Sequence, residues 1–191
     1  MHEIEPYYRW RDEYVASEDD RSPFYEREYD EFTFSKRIYN FLIHPQWDDF
    51  GSQTLYIKVI MVDYDLRYAV IELIGEWNDC INNDIMFLKR EIIDAMQNEG
   101  VNKFIILGEN VLNFHSSEED YYEEWFEDLK EQGGWVVFSN FQEHVVEEMR
   151  QINLDRFVNI GQEFNLSEWR SLQPQPYFNY FDNHVLALLE S

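Results

Sequence analysis

Residues 103–138, KFIILGENVLNFHSSEEDYYEEWFEDLKEQGGWVVF, decide the fold class. Phe104, Ile105, Ile106 and Leu107 are apolar without interruption, the pattern of a strand covered on both faces in a parallel sheet. The spacing then predicts a turn, after which Val111, Leu112, Asn113 and Phe114 bring the chain back to the edge of the core. Ser116 or Ser117 can cap the helix that follows, and Glu119 and Asp120, three positions beyond them, make either capping-box register available. Tyr121, Tyr122, Trp125, Phe126 and Leu129 recur at spacings of three and four, which predicts one inward helical face. Gly133 and Gly134 end that helix, and Trp135, Val136, Val137 and Phe138 are the next buried strand. Strand, crossover helix and parallel strand are the smallest unit of an α/β sheet.

On the N-terminal side, 55–62 (LYIKVIMV) and 68–74 (YAVIELI) read as strands, joined at 63–67 by a connection short enough for a hairpin. Gly75, Glu76 and Trp77 are expected to leave the sheet. Asp79 is the expected cap of a helix whose inward stripe is Ile81, Ile85, Leu88, Ile92 and Met96, with Gly100 as its stop. On the C-terminal side, Phe141, Val145, Met149 and Ile152 mark another inward helical face, and 154–158 is expected as a short strand or extended edge.

The chain has 191 residues, of which 45% are hydrophobic, enough for one domain with extensions. No apolar run reaches the roughly 20 residues of a membrane span, and no charged-then-apolar leader opens the sequence, so a soluble cytoplasmic protein is expected. The lone cysteine, Cys80, excludes an internal disulfide framework and reads as a small core or boundary residue. With 15 Lys and Arg against 39 Asp and Glu, the net charge is −24, which repels nucleic-acid phosphates and anionic membrane surfaces. No basic stripe offsets it. A basic protein partner is compatible with this balance, and so is a merely well-solvated surface.

Three regions are expected: an acidic, aromatic-rich extension at 1–52, a domain at 53–165 and a tail at 166–191. The extension is crowded with rings and poor in aliphatics, so it makes no core alone. Its part from 32 to 47 is expected to fold back on the domain, with the first twenty or so residues looser; alternatively the rings cover a partner or a second copy. In the tail, Ser167 is the expected cap of a short helix at 167–172, and 173–176 (QPQP) reads as a stiff break. The aromatics and leucines beyond it dock on the same domain or, alternatively, form a homodimer contact.

From 55 to 165 this order of elements resembles the STAS domain, the family of sulphate transporters and anti-sigma-factor antagonists. Leu73 to Trp77 resembles the glycine-containing exit of the family's second strand, and 104–117 its strand, acidic turn and hydrophobic lead-in to a serine. Gly133 and Gly134 stand at the expected distance beyond the serine, and 149–157 resembles the last helix and its exit. The resemblance implies an α/β fold: a STAS-like mixed β-sheet with helices packed mainly on one face, here with an N-terminal aromatic arm and a C-terminal tail. It also implies a protein-binding regulator, with no catalytic residue, cofactor or metal.

In the family's antagonists, a serine in the motif aspartate, serine, small residue, glycine is phosphorylated, and the added charge changes the partner complex. The matching residues are His115, Ser116, Ser117 and Glu118, so Ser116 is the phosphorylation candidate. Phosphate adds roughly −1.5 to −2 charge, and Glu118, Glu119 and Asp120 already occupy that helix end. The crowding points to a weakened or lost switch and a permanently negative patch. Capping alone also accounts for the serines, and ordinary first-turn preference for the acids. The partner surface implied is Asn113, His115, Ser116, Ser117, Glu118 and Glu119, facing an anti-sigma-factor-like or other regulatory protein.

No histidine or cysteine lies near His115 in sequence to share a metal with it, and His44, His144 and His184 fall in unrelated segments. Gly108 and the Gly133–Gly134 pair do not make a phosphate-cradling loop, and no Gly-x-Ser-x-Gly elbow is present. The reading from another class is a small-molecule or lipid-type ligand held between the aromatic arm and the sheet.

Overall fold

The computed structural model describes residues 3–117 and 119–189. Among them, a two-stranded antiparallel ribbon, β1 (Arg37–Ile38) and β2 (Phe41–Leu42), precedes a sheet of β3 (Leu55–Asp63), β4 (Tyr68–Asn78), β5 (Lys103–His115), β6 (Trp135–Ser139) and β7 (Asn159–Ile160). The sheet order is β3-β4-β5-β6-β7, antiparallel at β3/β4 and parallel thereafter. Helices α1 (Asp79–Asn82), α2 (Asp84–Phe87), a π turn at Leu88–Ile93 and α3 (Asp94–Asn98) join β4 to β5. Helix α4 (Asp120–Glu131) joins β5 to β6, and α5 (Glu143–Gln151) leads toward β7. Helix α6 (Pro174–Leu189) closes the chain. This is a mixed α/β sheet in the order that the sequence pattern implies.

The parallel strands β4 to β7 are laid down in chain order, and right-handed crossovers between such strands put every crossover helix on one face. Ala69, Ile71, Phe104, Ile106, Val136 and Phe138 form that face with Ile85, Leu88, Trp125, Leu129, Val145 and Met149. The alternate residues, Tyr68, Val70, Ile105, Leu107, Trp135 and Val137, point the other way and are equally apolar. Helix α6 and the arm cover them. Phe178 stacks on Tyr68 at 4.2 Å and lies parallel to Trp135 at 6.1 Å, while Tyr177, Phe181 and Val185 complete the layer. Two prolines at the start of α6 do not break it, because first-turn N–H groups have no intrahelical acceptor to lose. The expected break at 173–176 is therefore a helix start. The short helix expected at 167–172 is a 3-10 turn, Trp169–Ser171, preceded by Glu168 rather than capped by Ser167.

Several other local expectations are corrected. Strand β5 runs straight through the expected turn, because β4 also continues past Gly75 and pairs with it from Tyr68↔Lys103 to Asn78↔His115. Tertiary pairing overrides the turn preference of Gly108, Glu109 and Asn110, and two register shifts absorb the irregularity. The helical connection after β4 is capped by Asn78, whose Oδ1 accepts the Ile81 N–H at 2.9 Å, not by Asp79. Its stripe is broken at Asn83, where φ is +54°, so Ile81 is 82% exposed while Ile85, Leu88, Ile92 and Met96 are buried. The segment 154–158 begins as a 3-10 turn, and the edge strand follows at Asn159.

The arm reverses the expected order of looseness. Trp10, only 2% exposed, sits against Trp169 and Tyr177 with ring centroids at 5.8 and 5.5 Å and donates its indole N–H to the Leu172 carbonyl at 3.0 Å. Phe24 and Ala16 are buried too, whereas Phe32 is 94% exposed. Within the later part of the arm, Ile38, Ile43 and Trp47 do pack, against Tyr56 and Ile74.

Candidate functional site

The C-terminal ends of β4 and β5 carry α1 and the approach to α4 side by side. Two buried carboxylates, Asp79 and Asp84, build α1. Asp79 accepts from the Trp77 indole at 2.9 Å, the Ile85 N–H at 2.8 Å and the Tyr122 hydroxyl at 2.7 Å, and Asp84 accepts the Asn78 N–H at 2.7 Å. Burial pushes the Asp79 carboxyl up to about 6 against the lowering effect of these donors, and burial likewise raises Asp84. Held this way, α1 turns Ile81 and Cys80 outward. Cys80, expected as a core or boundary residue, is exposed and rests its Sγ against the Ser116 carbonyl oxygen.

Beside α1 lie the residues named from sequence. Ser117 is exposed and Ser116 half-buried, and His115 ends β5 in an exposed position. Helix α4 starts only at Asp120, after Glu119, and no side chain caps it. The capping roles expected of Ser116 and Ser117 are thus not made. Glu118 lies outside the described residues. Asn113 is directed elsewhere: its amide donates to Glu76 Oε1 at 2.9 Å, an oxygen that also accepts the Tyr39 hydroxyl of the arm. The structure therefore brings Ser116 and Ser117 to α1 and leaves Asn113 in an internal contact with the arm side.

Ser117, Asp120 and Tyr121 join Asp79, Cys80, Ile81 and Asn83 around a shallow depression of about 340 Å³. At this end of α4, Glu119, Asp120 and Glu123 have no cationic partner among the described residues, whereas Glu124 and Asp128 further along the helix are paired. Arg90 grips Glu124 through two bonds of 2.5 and 2.7 Å, and buried Lys89 holds Asp128 at 2.8 Å and also Asp94. Burial opposes the Lys89 charge, yet the two carboxylates outweigh it and raise its pKa. Three uncompensated carboxylates thus stand at the N-terminal end of α4, next to the serines.

Cys80, Ile81, Asn83 and Tyr121 escaped the sequence reading as site residues. The adjacent Asn82 and Asn83 were the available signal, since paired asparagines favour a left-handed helix end and place Ile81 out of phase with the stripe behind it. Among the described residues, no three His, Cys, Asp or Glu side chains are grouped to hold a metal ion, and no helix is long and apolar enough to cross a membrane. The space between arm and sheet is a hollow of about 260 Å³ whose walls include Arg11, Tyr29 and Lys58 as well as Val59 and Ile60. Lys58 there is already bound to Asp48 at 3.0 Å and to the Tyr29 hydroxyl at 2.7 Å.

No protein-family model matches the chain, and no curated protein matches it. Solved structures with a similar chain path include the anti-sigma factor antagonist SpoIIAA in its unphosphorylated form, at 15% identity and TM-score 0.49, covering 66% of this chain and 96% of that one. They also include TM1081 of Thermotoga maritima, a proposed anti-sigma factor antagonist. Its crystal structure is 21% identical with TM-score 0.42, over 55% of this chain and 84% of that one. Its NMR structure is 20% identical with TM-score 0.40, over 68% and 90%.

Proposed function

We propose that this STAS-like domain is a non-enzymatic, cytoplasmic regulatory module that binds a protein partner at the junction of α1, β5 and α4. In this reading 53–165 forms the binding domain, and 1–52 and 166–191 clothe it. The observation that carries the reading is Ile81, a large apolar side chain held 82% exposed by a buried carboxylate scaffold, on the rim of a depression otherwise edged by polar groups. An apolar anchor within a polar rim is the anatomy of a protein contact. The unpaired Glu119, Asp120 and Glu123 favour a partner with a basic edge, which they attract over the distance of a Debye length.

The same acids weaken a phosphoserine switch. A phosphate on Ser116 or Ser117 meets like charge at Glu119 and Asp120 where a helix N-terminus otherwise welcomes it. Ser116 also offers its carbonyl to Cys80, so this segment is tied to α1 through its backbone. Partner binding in this module is set by a standing charge pattern and by the presentation of Ile81.

Affinity capture with the full chain and with Ile81→Arg, compared across growth and stress, tests both halves, with phosphosite mass spectrometry of the bait. Ile81 buries almost nothing, so the substitution leaves the fold intact. The expected result is a specific partner lost with Ile81→Arg, kept with Ser116→Ala, and an unmodified Ser116 at good peptide coverage. An identical partner set with Ile81→Arg overturns the surface. Condition-dependent phosphate on Ser116 overturns the weakened switch.

A further inference from the structure

A second surface stands apart from this junction, where the C-terminal halves of α4 and α6 flank the 3-10 turn before β7. They enclose a groove of about 420 Å³ whose walls include Phe126, Leu129, Phe157, Val158, Val185 and Leu186. Volume and lining are those of a small-molecule site, apolar with a few placed polar groups. Leu186 and Leu189 are 48% and 77% exposed at its α6 side, where an apolar patch on a protein carrying −24 charges calls for an occupant.

The charge on the groove is the reverse of the rest of the molecule. Lys103, Lys130 and Arg156 line it against Asp155 and Asp182. Lys103 is bound to Asp182 at 2.8 Å, but Lys130 and Arg156 have no carboxylate partner among the described residues. The Lys130 ammonium stands 5.4 Å from the Phe126 ring centre, and Phe126 meets Phe157 edge to face at 6.1 Å. Arg156, the residue before Phe157, lines the same groove, with Leu186, Leu188 and Leu189 of α6 also in its wall.

We propose that this groove binds a single-chain fatty carboxylate, its head held by Arg156 and Lys130 and its chain laid along Phe126, Phe157 and the apolar side of α6. Arginine matches a carboxylate through two parallel N–H donors, and each methylene buried adds to the hold on the chain. An acidic protein disfavours anions everywhere else, so preference for an anionic over a cationic amphiphile is diagnostic of this local pair.

Isothermal titration of the full chain with dodecanoate, and separately with dodecyltrimethylammonium, both below their micelle concentrations, tests the site with one tail and opposite heads. Dodecanoate is expected to bind one to one and at least about tenfold more tightly than the cation. Lys130→Glu/Arg156→Glu is expected to weaken dodecanoate by about tenfold or more, and Leu186→Asp to weaken it comparably, with thermal melting checked for each. Absence of saturable heat, equal or tighter binding of the cationic amphiphile, or unchanged affinity in both variants overturns the proposal. A dimer in light scattering that Leu186→Asp converts to a monomer assigns the groove to a second copy and also overturns it.

Discussion

Asp79 and Glu72 show what burial does to single residues in this protein. Glu72 lies on the inner strand β4 beneath the arm and tail, where it accepts the Tyr7 N–H at 2.8 Å with the Arg170 guanidinium 3.9 Å away. Burial raises its pKa to about 7, and Asp79 stands at about 6 for the same reason. Both values exceed the unfolded ones of 4.5 and 3.8, so the fold binds these protons more tightly than the unfolded chain does. Their contribution to stability is therefore greatest at acid pH and falls as pH rises through about 4–6 for Asp79 and about 4.5–7 for Glu72, by on the order of 3 kcal/mol each. Urea unfolding at pH 4.5 and pH 8 in 0.5 M salt checks this, since salt screens the −24 surface far more than the buried groups. Glu72→Gln keeps an acceptor for Tyr7 without the charge. It should raise stability at pH 8 and leave pH 4.5 nearly unchanged; an equal loss at both would mean that the charge itself holds the arm. Ser117→Ala should shift stability by no more than about 0.5 kcal/mol, whereas a helix cap would cost about 1. Neither burial was legible in sequence, because acids are too numerous in this chain for any one to stand out.

At the scale of elements, β5 is the longest departure from local preference. Gly108 was read as part of a turn; its lack of a side chain instead admits the Phe141 ring, which would lie 2.3 Å from an added Cβ. Gly134, read as a helix stop, has that role and a second one, since a Cβ there would meet the Asn102 carbonyl oxygen at 1.9 Å. Gly108→Ala should cost about 1–3 kcal/mol because a ring can shift. Gly134→Ala should cost more, because the Asn102 backbone, held where β5 and β6 start side by side, cannot shift; equal denaturation midpoints for the two would contradict this ordering. The helix after β4 was legible as an element but not in its phase. Its π turn adds a residue to the winding, which buries Ile93 beside Ile92 and draws Lys89 inside to meet Asp94 and Asp128.

The whole molecule is a sheet wound in one direction, and that winding leaves half its apolar surface without a crossover helix. Helix α6 and the arm supply the missing layer, fastened by Trp10 to Leu172, by the Tyr7 hydroxyl to the Arg170 carbonyl, and by the Trp47 indole to the Ile4 carbonyl. Phe178→Ala, which removes a ring from the stack on Tyr68 and Trp135, should cost about 3–5 kcal/mol in urea unfolding. A chain ended after Asn165 should bind a hydrophobic dye strongly at neutral pH, since Tyr68, Val70, Ile105 and Leu107 lose their cover. A truncated chain that binds no dye and keeps its melting temperature would make the tail ornamental.

What the sequence determined by itself was the identity and order of the strands and helices from β3 to α5, and that the central strands are covered on both sides. Those follow from hydrophobic period and from glycine stops, which are local properties of the chain. Only the tertiary structure decided what supplies the second cover, how far β4 and β5 run together, and that Ile81 faces solvent beside Ser116 and Ser117. Each of these depends on residues distant in sequence meeting: Pro174 to Leu189 returning to the bare face, Asn78 pairing with His115, and Tyr122 reaching Asp79 to lock α1. Hydrophobic period specifies which side of an element is buried; it carries no information about the partner that buries it.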